Sequence, residues 1–408
     1  MHVVFIEPRF PVNQRLFVHA LAEVGVTVSA IGEGSPDTLD PELRRCLSHF
    51  EPVRNVTDPK AMLAAVRSIQ RRRQVDRLEA TVEAHIMAAA HAREAAGIPG
   101  TTVQTAFLCR DKPAMKEALR AGGVPCAQST AAASEAEVRA FIERVGYPVI
   151  LKPRDGAGAA GAVRVADDSE LPAAMESLAL GRPGRSVAVE EFIEGHEGFF
   201  DTLTLRGEVV HEFASHYYPN VLEAMRERWI SPQVVTTNRV DVVSGYDQVK
   251  AMARKVTEVL GIETSATHME WFVGPKGLKF SEIGCRPPGV RTWDLYNAAN
   301  DMDLYREWAM LIGLGRPGQR PSRRFSAGMI ALRPDRDGRI AGYSGVEAIR
   351  GRLAPQLIDW HLPPVGTPTQ PVEAGFMANA WVRAKHESYD GLRSLLDAIG
   401  ETIRVHAR

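Results

Sequence analysis

The sequence predicts a mixed α/β fold of several units, and three stretches carry that prediction. A β-α-β pattern opens the chain, a capped helix near Ser134 runs into a strand and a glycine-rich loop, and the residues from Ala266 to Gly289 read as a hairpin followed by a proline loop. At 408 residues and 45% hydrophobic content, the chain can bury enough core for about two to four structural units.

The opening strand is Val3 to Ile6, and Phe17, Ala20, Leu21 and Val24 follow at i, i+3, i+4, i+7 helical spacing. Val26, Val28 and Ala30 then alternate as a second strand. Such units often bind dinucleotides, but the first turn here is Glu7-Pro8-Arg9, without glycines that let backbone approach a pyrophosphate. No NAD is expected. Met1 leads directly into the first strand with no basic leader, and no apolar run of about 18 residues occurs, so neither secretion nor membrane spanning is expected. The run Arg71, Arg72, Arg73 reads as a solvated helix face.

Charge and cysteine usage narrow the function. With 49 basic and 50 acidic side chains, formal charge -1, no bulk field draws the chain to nucleic acid or an anionic membrane, and small-molecule substrates are the expectation. Cys46, Cys109, Cys126 and Cys285 lie far apart in sequence without a CxxC pair, which argues against a zinc site or a disulfide framework and for a reducing, cytoplasmic setting.

In the middle of the chain, Ser134 and Glu137 form a capping box before Val138, Phe141, Ile142 and Val145, and Gly146 closes that helix. Val149 to Lys152 is the next strand, and it enters Asp155-Gly156-Ala157-Gly158-Ala159-Ala160-Gly161 before Val163 and Val165 alternate. Gly156, Gly158 and Gly161 satisfy GxGxxG, a weak pattern taken alone. A dinucleotide fold needs a helix after the third glycine, where strand-like valines stand instead. A protein kinase needs HRD and DFG motifs, which the chain lacks. The remaining readings are a lid whose N–H groups close over phosphates beside Lys152, and a plain tight turn. Val187 to Ile193, Phe199 to Leu205, and Val209 with Val210 read as further strands.

The hairpin joins Ala266 to Val273 and Leu278 to Ile283 through Gly274-Pro275-Lys276-Gly277. With the loop at Pro275 to Gly277, Gly274 faces Leu278, Phe272 faces Phe280 and Glu270 faces Glu282, all on one face. Opposed carboxylates repel unless a cation lies between them or one is protonated, and Mg2+ takes such a pair together with phosphate oxygens. Two unrelated exposed glutamates are the alternative. Pro287 and Pro288 fix the following loop, which holds Arg286 near the pair; the readings of that guanidinium are bidentate binding of a phosphoryl group and, as the alternative, a surface salt bridge.

These residues resemble the ATP-grasp superfamily, which includes biotin carboxylase, D-alanine:D-alanine ligase and purine-pathway ligases. The resemblance rests on Arg110-Asp111-Lys112, Tyr147 to Lys152 before the glycine loop, Val189-Glu190-Glu191-Phe192-Ile193-Glu194-Gly195, and the Glu270 to Gly289 hairpin. It implies an α/β (α+β ATP-grasp) fold with a Rossmann-like unit over 1–110, a lid lobe over 111–190, a central lobe with the metal-binding hairpin over 191–318, and a C-terminal extension over 319–408 packing on that lobe. It implies that Lys112 and Lys152 contact the ATP phosphates, that Glu190, Glu191, Phe192 and Ile193 form the adenine hinge, and that Glu197 meets the ribose. It further implies Glu270 and Glu282 as ligands of Mg2+, with Mn2+ as a substitute, and Arg286 as the catalytic arginine that stabilises an acyl phosphate. Gly284 stands where the superfamily usually has an asparagine metal ligand. The C-terminal segment resembles the biotin-carboxylase-like branch, without a biotin-accepting lysine motif. The activity implied is an ADP-forming carbon-nitrogen ligase that joins a small-molecule carboxylate, most naturally an amino acid, to an amine. A kinase acting on a hydroxyl and a nucleotide-binding regulator without turnover are the rivals. A homodimer is the oligomeric state expected from base rates.

Overall fold

The computed structural model describes residues 1–154, 161–372 and 377–408. The β-α-β opening forms as His2–Ile6, the helix Gln14–Glu23 and Thr27–Glu33. Its strands belong to a four-stranded parallel sheet ordered Leu47–Val53, Thr27–Glu33, His2–Ile6, Arg77–Glu79. A helix with one apolar stripe buries that stripe, and here Phe17 stacks on Phe5 and meets Trp293, Tyr305 and Trp308 with ring centroids 5.0–5.2 Å apart. Trp308 and Tyr305 lie on the helix Leu304–Leu314, so this aromatic cluster docks the N-terminal unit onto the rest of the chain. Each fully buried ring contributes on the order of 2–3 kcal/mol.

The second unit is a four-stranded antiparallel sheet ordered Ser129–Ala132, Val187–Glu191, Val149–Pro153, Val163–Val165. The Ser134 cap forms as expected, with Glu137 N–H donating to Ser134 Oγ, while the Glu137 carboxylate accepts from Ala133 N–H, one residue before the cap, at the start of the helix Glu135–Val145. Gly146 ends it at φ +78°, a left-handed turn that favours glycine.

The largest sheet has eight strands and is antiparallel throughout. Its order runs Gly277–Gly284, Ser265–Gly274, His196–Leu205, Glu208–Tyr218, Gln233–Thr236, Ser326–Leu332, Ala380–His386, Leu357–His361. The sheet crosses the boundary expected at residue 318, because Gln233–Thr236 pairs directly with Ser326–Leu332. The segment 319–408 therefore extends the central sheet as well as packing against it. The helix Tyr389–Thr402 covers this end through Leu392, Leu396 and Ile399. Among the described residues no helix is long and apolar enough to cross a membrane.

The hairpin register corrects part of the expectation. Glu270 does face Glu282, but Trp271 rather than Phe272 faces Phe280, and Val273 rather than Gly274 faces Leu278. The turn has two residues, Pro275 and Lys276, between paired Gly274 and Gly277, and the register shifts by one at Ser281. Gly277 follows those two residues at φ +78°, the left-handed position that closes a type I hairpin turn.

His216 lies on the opposite face of the sheet from Tyr217, with Nδ1 2.8 Å from His196 Nε2 and Nε2 2.7 Å from the Tyr246 hydroxyl. Burial, then His196 and Arg393, push this imidazole down to about 3. The native state keeps His216 neutral while an unfolded histidine takes up a proton below about 6.5, so its contribution is complete above that pH and is lost on acidification. We expect stability to fall between about pH 6.5 and 3, with His216 supplying up to roughly 1.4 kcal/mol per pH unit. Urea melts across that window should show a flatter slope for His216→Gln; an unchanged slope would refute the assignment.

Candidate active site

The helix Lys112–Ala121 starts at Asp111, whose side chain caps Ala114 N–H and also accepts from Arg154 Nε at 2.9 Å. That bond and Lys112 N–H to Arg154 O at 3.2 Å tie the helix start to the strand end that carries Lys152. The helix is amphipathic, and Lys112 and Lys116, four residues apart, lie on one face. Lys116 is fully buried and reaches Glu190 at 2.6 Å, while Lys152 reaches the same carboxylate at 2.9 Å. Burial lowers the Lys116 ammonium to about 8, with Lys152 adding to the depression and Glu190 opposing it. Burial would raise the Glu190 carboxyl, but the two lysines outweigh it and keep Glu190 below its usual range.

Glu282 Oε2 lies 3.5 Å from Lys112 Nζ and 3.7 Å from Lys152 Nζ. Burial again pushes upward, and Lys112, Lys152, Lys116 and Arg286 override it, which brings Glu282 to about 2. Its neighbour Glu197 behaves in the opposite way. Burial, reinforced by Glu270 and Glu282, pushes Glu197 up to about 8, although Val221 N–H donates to Oε2 at 2.7 Å. Glu270 stands 3.6 Å from His268 Nε2, and His268 Nδ1 is 2.6 Å from Asp201. Burial would lower the His268 imidazole, but Asp201 carries it up to about 9. The Tyr296 hydroxyl donates to the other Asp201 oxygen.

A cavity of about 460 Å³ lies between the four-stranded antiparallel sheet and the eight-stranded sheet. Lys112, Lys152, Glu190, Glu191, Phe192, Ile193, Glu197, Glu270 and Glu282 all line it, so most of the expected site residues converge. Glu191 turns its carboxylate toward the hairpin tip, where Lys276 Nζ donates at 2.6 Å. The Arg164 guanidinium covers the Phe192 ring at 4.9 Å. Of the glycine loop, Gly156 and Gly158 lie outside the described residues. Gly161 has φ +72°, and a Cβ there would meet the Pro153 ring at 3.2 Å.

A second cavity, of about 920 Å³, shares Glu197, Val221, Glu270 and Glu282 with the first. Arg286, Phe199, Tyr217, His268 and Arg291 line it, and the N-terminal unit closes it with Gln14, Arg15 and Glu83. Arg286 Nε donates to Glu83 Oε2 at 2.6 Å and Nη1 donates to Pro287 O at 2.9 Å. Glu83 also pairs with Arg110 at 3.3 Å. Behind this loop the Cys109 and Cys285 sulfurs are 2.9 Å apart, although 176 residues separate them in sequence. A Cβ on Gly284 would lie 3.2 Å from Glu83 Oε2 and 3.4 Å from Arg286 Cγ, so the ion pair fills the space beside that glycine.

Sequence reasoning missed Lys116, Glu83, Asp201 and His268. Only Lys116 had a local signal, its i+4 spacing from Lys112 on an amphipathic helix. Tyr217 and Arg291 also reach the second cavity, and Trp293 lies in the core. Tyr218 and Arg239 line a separate cavity, and Trp229 is 80% exposed.

Residues 117–298 match the ATP-grasp domain model. The chain is 27% identical over 246 residues to the L-arginine-specific L-amino acid ligase of Bacillus subtilis, covering 59% of this chain and 58% of that protein. It is 37% identical over 103 residues to the D-alanine--D-alanine ligase of Ralstonia pickettii, covering 25% of this chain and 30% of that one. The matches thus span less than two thirds of these relatives' lengths. In fold, the chain superposes on the crystal structure of an L-amino acid ligase from Bacillus licheniformis with TM-score 0.78 at 17% identity, covering 100% of this chain and 98% of that one. Residues 117–298 thus match the ATP-grasp domain, and the chain as a whole shares the fold of a solved L-amino acid ligase.

Proposed function

We propose that the protein is an ATP-dependent carboxylate-amine ligase that forms an amide bond through an acyl phosphate, with amino acids as substrates. The carrying observation is the pair of joined cavities: one walled by lysines and carboxylates, the other ending at Arg286, with Glu270 and Glu282 at their junction. The similarity to L-amino acid ligases supports the substrate class.

In this reading ATP fills the first cavity, with its adenine against Glu190 to Ile193, its ribose near Glu197 and its phosphates against Lys112 and Lys152. The substrate carboxylate oxygen attacks the γ-phosphorus, the bond to the β-γ bridging oxygen breaks, and ADP leaves. The amine nitrogen then attacks the acyl carbon, phosphate leaves with the C–O bond, and the amine releases its proton. Lys112 and Lys152 offset the phosphate charge in a site shielded from water. Arg286 holds the phosphoryl group of the acyl phosphate.

The donor set suits a hard divalent cation. Three carboxyl groups share one wall, and their repulsion contributes to holding a proton on Glu197 up to about 8, so this wall has negative charge to share. Glu270 and Glu282 would hold Mg2+, which supplies charge neutralisation at the phosphates, and Mn2+ would substitute.

Incubating the protein with ATP, Mg2+, amino acids and hydroxylamine tests this. We expect a hydroxamate and ADP, because only an acyl phosphate is trapped by hydroxylamine. ADP with a stable phosphate ester and no hydroxamate would identify a hydroxyl kinase instead, and no ADP with any amino-acid pair would favour a regulator.

A further inference from the structure

We propose that His268 is a third protein ligand of the metal ion, in the role an asparagine at position 284 would have had. This rests on reading Glu270 and Glu282 as the metal pair. His268 is the direct cross-strand partner of Gly284, and it precedes Glu270 by two residues on the same strand. Cross-strand partners and i, i+2 neighbours share a face, so the imidazole projects from the same side of the hairpin as Glu270 and Glu282.

Gly284 has no donor to offer, and the Arg286–Glu83 pair occupies the space its side chain would need. His268 is oriented as metal-bound histidines are, since the Asp201 carboxylate accepts from Nδ1 at 2.6 Å and is itself bonded by Tyr296. That leaves Nε2 toward Glu270 Oε1, 3.6 Å away, on the wall of the second cavity. Neighbouring ligands of one small octahedral cation lie about 3 Å apart, so a shift of about half an ångström brings both onto it. Among the described residues no group of three or more His, Cys, Asp or Glu is already close enough to hold a metal ion, so the proposed site requires His268, Glu270 and Glu282 to draw together on the cation. Ligation expels the Nε2 proton to solvent. An imidazole nitrogen added to two carboxylates shifts preference from Mg2+ toward Mn2+ or Co2+.

Pulsed electron paramagnetic resonance of Mn2+ with ADP on the full chain, with and without 15N-histidine labelling, tests the assignment. We expect couplings from a directly bound histidine nitrogen that change with the label. They should vanish in His268→Gln, which should bind Mn2+ about 10- to 100-fold more weakly. His268→Asn, which returns an amide oxygen, serves as a second variant if the first melts early. Mn2+ bound by the parent without histidine coupling, or with coupling that survives both variants, overturns the inference and leaves the carboxylate pair intact. No Mn2+ binding by the parent overturns the metal reading itself.

Discussion

Glu282→Gln is expected to reduce amino-acid-dependent phosphate release by about 10³-fold or more, the scale of losing a principal electrostatic group at a phosphoryl-transfer site. The substitution keeps the shape and removes one charge. That charge lies 3.5 Å from Lys112 and 3.7 Å from Lys152, and opposite Glu270. Four cations hold Glu282 down to about 2, so the native state favours its ionised form. Without it Lys112 and Lys152 lose a shared partner, and the melting temperature of the ligand-free protein should fall. Glu270→Gln should cost similar activity with little loss of melting temperature, because Glu270 belongs to the carboxylate group whose crowding raises Glu197 to about 8. Phosphate release and thermal melts on both variants check this. Equal melting losses would show that the two glutamates are not electrostatically distinct.

The Glu270–Glu282 pairing was legible for a reason the sequence does not display. A three-residue loop with regular pairing puts the two opposite each other, and the hairpin reaches the same pairing with a two-residue turn and one extra residue at Ser281. The two departures cancel at this position and not at Phe272 or Gly274. Alternation and turn chemistry located the hairpin, while a bulge depends on what the strand packs against and leaves no local mark.

Lys112, Lys152 and Glu190 were also readable as motif positions. Their meeting with Lys116 depends on the helix Lys112–Ala121 packing against the lid strand Ser129–Ala132 and the hairpin strand Gly277–Gly284. Partners far along the chain were not readable. Glu83 is 203 residues from Arg286, and Asp201 is 67 residues from His268. The boundary expected at residue 318 failed to mark a structural break for a related cause, since an antiparallel sheet recruits strands without any composition shift between them.

The Glu83 contact gives Arg286 its second large predicted effect. Arg286→Lys is expected to lower kcat/KM by about 10²- to 10³-fold, because lysine keeps one charge but loses the planar fork. Arg286 uses Nε on Glu83 and Nη1 on Pro287 O, and Nη2 has no hydrogen-bond partner among the described residues. A fork anchored on two sides presents its third nitrogen in a fixed direction, whereas a lysine ammonium on a flexible stem must choose between Glu83 and the substrate. Glu83 itself belongs to the N-terminal unit and also pairs with Arg110. Glu83→Gln should therefore act through position, with roughly a tenfold fall in kcat and little change in KM for ATP. In Arg286→Lys the loss should fall on trapped hydroxamate as well as on amide, because in the proposed mechanism the guanidinium meets the acyl phosphate directly. Hydroxamate yield that stays at the parent level in Arg286→Lys while amide formation drops would remove Arg286 from phosphoryl transfer and assign it to the amine step.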